Sequence, residues 1–116
     1  MRHSEIFQNA VAARDAGDFK QSERLLMSMV QAGHNSAACF AVLGRVQWEL
    51  DKADSAVIAF RKATELAPNS EEASLGLFHS LWELKRSDDA FEEMKRFLKS
   101  NKSDEYSKLL RELNQA

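Results

Sequence analysis

Three histidines, one cysteine and several paired acids are the residues from which a catalytic or metal centre would have to be built. His3, His34 and His79 are far apart along the chain, and none has a His, Cys or carboxylate at tight ligand spacing. Cys39 stands near an expected helix start, where the dipole would lower a thiol pKa, but it reads better as a small buried residue. Glu71-Glu72, Asp88-Asp89 and Glu92-Glu93 read as helix-start or solvated acids. The sequence has no glycine-rich phosphate loop and no nucleophile motif. The expectation is therefore a protein that is not an enzyme and that carries no metal and no cofactor. The other chemistry on offer is recognition: Trp48, Trp82 and Arg45 are of the types enriched among interface hot spots.

Those residues need elements to hold them. The chain has 116 residues, 44% hydrophobic and 29% charged, which suits one soluble globular domain. Four Gly and one Pro are too few for a turn-rich β architecture. The net charge of −2, with no basic run, argues against nucleic acid as a partner. A single cysteine excludes an internal disulfide framework and fits a reducing compartment. The N-terminus has no apolar run suited to a signal peptide, and no stretch is long enough to span a membrane. The expected location is cytoplasmic, without membrane attachment.

An internal repeat sets the architecture. Trp48-Glu49-Leu50 recurs as Trp82-Glu83-Leu84, a 34-residue offset. The same offset relates Leu43 to Leu77, Asp54 to Asp88, Ala56 to Ala90 and Asn35-Ser36 to Asn69-Ser70. Apolar residues fall at helical steps: Val57, Phe60, Ala63, Thr64 and Ala67 in one unit, and Phe91, Met94, Phe97 and Leu98 in the next. Gly17-Asp18 marks a turn, Gly33 suits a left-handed cap, and Pro68 stops a helix that Asn69 or Ser70 restarts. Seven helices are expected, over about 3–16, 19–32, 37–50, 54–67, 71–84, 88–100 and 104–114.

Within Ala37–Ser70, Leu43-Gly44, Ala56, Phe60, Ala63 and Pro68 resemble the signature of the tetratricopeptide repeat family. Phe40 replaces the family's tryptophan and Gln47 a tyrosine. The third unit departs with Phe78 at the small-residue position and Lys102 at the proline. The first departs with Ala10, Ser22 and His34. Atypical edge units are common in solenoids. The resemblance implies an all-α fold: a right-handed superhelix of three helix-turn-helix units, about 3–36, 37–70 and 71–104, with a capping helix at about 104–114, all in one domain over 1–116. Leu109, Leu110 and Leu113 would lie on the third pair. The rival reading is an exposed last helix that docks on a partner or a second copy.

In this family the first helix of each pair lines a concave groove that receives a peptide or helix. Carried over, the resemblance implies a groove formed by Phe7, Val11 and Arg14, then Ala41, Arg45, Trp48 and Glu49, then Glu72, Leu75, His79, Trp82 and Glu83. Trp48 and Trp82 would stack in register along it. If so, Trp48→Ala should weaken partner binding and leave melting nearly intact; a core role would unfold the chain instead. Some relatives clamp the C-terminal carboxylate of heat-shock chaperones with Lys, Asn and Arg. The matching places here hold Phe7, Val11, Val42, Glu72 and Gly76, which cannot recognise a carboxylate by paired hydrogen bonds. The expected function is a protein-binding adaptor or small chaperone. The alternatives are a self-associating protein, such as a homodimer, and, against the charge and the 34-residue period, an RNA-reading helical repeat.

Overall fold

The computed structural model describes residues 2–115. Seven α-helices follow one another: α1 (His3–Asp15), α2 (Phe19–Gln31), α3 (Ala37–Glu49), α4 (Ala53–Leu66), α5 (Glu71–Glu83), α6 (Ser87–Ser100) and α7 (Asp104–Asn114). Each lies within a residue or two of its expected span. No strand occurs among the described residues.

Local signals start and stop these helices. Side-chain oxygens of Asp18, Ser36, Ser70 and Ser103 accept the N–H of Gln21, Cys39, Ala73 and Tyr106, filling donors that a helix start leaves unpaired. The turn inside each hairpin is the same three times. Gly17, Asp51 and Lys85 all have left-handed φ, of 82°, 61° and 61°. After them the N–H groups of Asp18, Lys52 and Arg86 reach back to the carbonyls of Ala13, Gln47 and Leu81 at 2.8, 2.8 and 2.9 Å. That is the Schellman closure, which satisfies the last carbonyls of the first helix. Gly33 makes the same turn between the first two units, at φ 89°.

The hairpins pile side by side, each helix packing mainly on its neighbours in sequence, and form a body 48 × 26 × 20 Å across. α1 touches α3 and α3 touches α5, so the first helices of the pairs form one wall. The core is a seam rather than a ball. Leu26, Met29, Cys39, Val42, Leu43 and Val46 hold α1–α3 together. Phe40, Ala41, Ala63 and Ala73 bridge to the third pair. Val57, Phe60, Leu77, Phe78, Leu81, Met94 and Phe97 fill the remainder. Small residues let the backbones close: Ser22, Ala56 and Ala90 are wholly buried at matching places of the three units, and Ala10 is wholly buried too. Ser22 donates its hydroxyl to the Ala10 carbonyl at 2.8 Å. Burial of Cys39 pushes its thiol pKa up, because the thiolate would lose its water.

α7 is tied on differently. Its backbone stands off from α5 and α6, and Tyr106 carries the attachment. That ring is fully buried against Phe78 and Phe97. Its hydroxyl meets Ser74 Oγ at 2.7 Å, and Ser74 donates to Glu93 Oε2 at 2.6 Å. Arg96 grips both oxygens of Glu93 at 2.8 and 2.7 Å and also donates to the Pro68 carbonyl. Leu109 packs on the same cluster, whereas Leu110 stays 38% exposed.

Candidate functional site

The concave wall begins with helix register. On α3, Arg45, Trp48 and Glu49 fall one turn apart and face the same way; on α5, Glu72, Leu75, Gly76 and His79 do so. Together they form an open cleft of ≈ 410 Å³, with Arg45, Trp48, Glu72, Leu75 and His79 on its sides. Its floor is Phe60, reached from α4 past Gly76, whose missing side chain leaves the ring's edge facing the cleft.

A second cleft of ≈ 340 Å³ adjoins the first, since Arg45 and Glu72 line both; Arg14, Asp15, Phe19 and Glu49 complete it. A third, of ≈ 290 Å³, lies past Trp48 between Glu49, Asp51, Ala53 and Glu83. Arg45 donates to Glu49 at 3.1 Å and its guanidinium lies 5.8 Å from the centre of the Trp48 ring. Arg14 pairs with Asp15 at 3.0 Å. The pKa of His79 is lowered, first by desolvation at the wall and then by the Arg45 charge, with Glu105 opposing. Desolvation and the Arg45 charge thus both favour the neutral imidazole.

Eight of the twelve groove residues expected from the sequence converge here: Arg14, Arg45, Trp48, Glu49, Glu72, Leu75, His79 and Glu83. Four do not. Ala41 is buried in the seam with Phe40, Ala63 and Ala73, because close helix approach needs its small side chain there. Phe7 packs against the α1–α3 core, and Val11 is half-buried and lines none of the three clefts. Trp82 forms no row with Trp48. Its indole stacks on Phe78 at 5.9 Å and meets Phe91 edge-on at 5.7 Å. Phe78, at the third unit's small-residue position, gives the tryptophan a ring to stack on, and Trp82 lines none of the three clefts. Trp48 itself is both wall and packing: it is half-buried against the core, and its Nε1–H is enclosed without an acceptor among the described residues. Trp48→Ala thus removes packing as well as surface.

Phe60 and Gly76 were not in the expected set. Phe60 belongs to the helical apolar series of its unit, and the glycine that uncovers it lies outside the 34-residue correspondence, with Val42 at the matching place. His3 and His34, remote in sequence, bring their ring centres within 3.2 Å where α1 begins and α2 ends. Among the described residues no group of three or more His, Cys, Asp or Glu is placed to hold a metal ion. No helix among them is long and apolar enough to cross a membrane.

With helix pairs, turns and wall in place, residues 37–70 match the family described as tetratricopeptide repeat. That segment is a tetratricopeptide repeat. The described residues have the fold of a tetratricopeptide solenoid: a crystal structure of MamA superposes with a TM-score of 0.80 at 18% identity, over 84% of this chain. A MamA mutant gives 0.79 at 17% identity over 87%, and a further MamA structure 0.78 at 18% over 91%. The chain spans 57%, 74% and 59% of those three structures. Among curated proteins no sequence match is found.

Proposed function

We propose that the chain is a protein-interaction module that holds a peptide or helix of a partner on its concave wall, as an adaptor or small chaperone does. The observation that carries this is the continuity of the first two clefts. They share Arg45 and Glu72 and combine an apolar floor with polar rims, the usual make-up of a site that both anchors and orients. A carboxylate-terminated tail fits poorly, because both cations of the wall are already held by acids. The test is photo-crosslinking in the native host, with the reactive residue at His79 on the wall or at Arg61, exposed on α4 and outside all three clefts. One partner protein captured from position 79 and absent from 61 is the expected result. Capture from 61 alone would overturn the reading.

One observation favours self-association as a second reading. Phe91, Met94, Leu98 and the half-exposed Leu110 line an open apolar cleft of ≈ 460 Å³ between α6 and α7. Apolar surface left open at a solenoid end is a common seat for another helix. Light scattering across concentration decides it: a dimer lost in Leu110→Glu supports the reading, and a strict monomer ends it.

A further inference from the structure

We infer that the concave wall selects a basic peptide segment, one large apolar side chain bracketed by lysine or arginine. This rests on the wall being the binding site, and it adds the chemistry of the occupant.

The apolar half of the argument is the slot over Phe60. Gly76 contributes no side chain, while Leu75 and Trp48 stand on either side. Arg45, Glu72 and His79 complete the lining, so the apolar part of this cleft is confined to the slot. The charged half is a surplus of acid. Asp15, Glu49, Asp51, Glu72 and Glu83 line the three clefts against two cations, Arg14 and Arg45. Each cation is joined to an acid, to Asp15 and Glu49. Asp51, Glu72 and Glu83 have no ion-pair partner among the described residues.

The third cleft has three carboxylates on its sides and no cation. Glu49 and Glu83 are the last residues of α3 and α5, so the negative ends of two helix dipoles lie there, against the positive end of one, α4, which starts at Ala53. Of the cleft's three carboxylates, those of Asp51 and Glu83 are in no ion pair among the described residues. Glu72 lies at the opposite end of α5. Eleven helical steps separate it from Glu83, about 16 Å at 1.5 Å per residue. The Phe60 slot falls between them. In an extended ligand, at about 3.3 Å per residue, that span places cations two or three residues to either side of the anchor.

The test uses the full chain and three labelled peptides of equal length: leucine flanked by lysines, leucine flanked by glutamates, and serine flanked by lysines. Fluorescence anisotropy at low salt should show the first binding at least tenfold more tightly than the other two. Asp51→Lys combined with Glu83→Lys should cost the first peptide at least tenfold and strengthen the second. Both side chains are exposed, and lysine already occupies the matching left-handed turn at Lys85, so the fold should survive; circular dichroism checks that. The glutamate peptide binding as tightly as the first, or the first failing to bind at millimolar concentration, would overturn the inference. Equal binding of all three with the Trp48 indole resonance shifted would sink the charge selection and leave the groove. Binding that shifts α6 and α7 resonances instead would sink the groove as well.

Discussion

The ring of Phe60 fills the place that a side chain on Gly76 would need. A Cβ built on Gly76 would come within 2.2 Å of Phe60 Cε1, and one on Gly44 within 2.9 Å of the ring's opposite edge. Two glycines on α3 and α5 thus hold one aromatic ring from α4 between them, and the cleft floor is a by-product of that packing.

Gly76→Ala therefore sets two effects against each other. Alanine is the better helix former by about 1 kcal/mol. Pushing a buried ring aside in a close-packed seam costs about 1–3 kcal/mol. The overlap is deep and Phe60 is enclosed, so the second effect wins: a lower denaturation midpoint is expected for Gly76→Ala. Gly44→Ala, with the milder overlap, should lose less. An unchanged or raised midpoint in both would show that the ring can move freely.

Tyr106 holds α7 by its ring and by its hydroxyl. Tyr106→Phe keeps the ring and removes one link of the buried Tyr106–Ser74–Glu93–Arg96 chain, at a cost of about 1–2 kcal/mol. Tyr106→Ala also empties the ring's site, which costs about 3–5 kcal/mol. Because the backbone of α7 stands off from its neighbours, that loss should appear first in α7. Hydrogen exchange should show α7 amides losing protection in Tyr106→Ala while α3 and α4 keep theirs. Uniform loss across the chain would mean that α7 does not open separately.

His79 gives a pH signature. Its folded pKa is depressed below the ordinary imidazole value, so folding favours the neutral form. That contribution is fully present above the unfolded pKa and is lost as pH falls through the lower folded one. The titration midpoint followed by NMR should lie below that of a free histidine. Arg45→Gln should raise it and Glu105→Gln lower it further. A midpoint at the free value that ignores both substitutions would place His79 in open water.

Periodicity made most of the fold legible. Trp48-Glu49-Leu50 and Trp82-Glu83-Leu84 announced the 34-residue unit, and Ser70 and Ser103 announced helix starts, because both signals depend on neighbours close in sequence. The hairpin turn was legible only at Gly17. Asp51 and Lys85 adopt the same left-handed turn, yet neither residue type advertises it; the Schellman hydrogen bonds impose it.

The wall was legible in part, for the same reason. Register along a single helix put Arg45, Trp48 and Glu49 on one face, and sequence alone supplies that register. Which way Trp82 turned depended on Phe78 and Phe91, and which glycine uncovered Phe60 depended on how far α5 slid against α4. The sequence by itself determined the helices, their caps and their repeating order, because these are local. Only the tertiary structure decided that Tyr106 is an anchor, that Ala41 is core and that Phe60 is a floor. Those outcomes are set by packing between residues far apart in the chain, where close-packed volume has no sequence period to betray it.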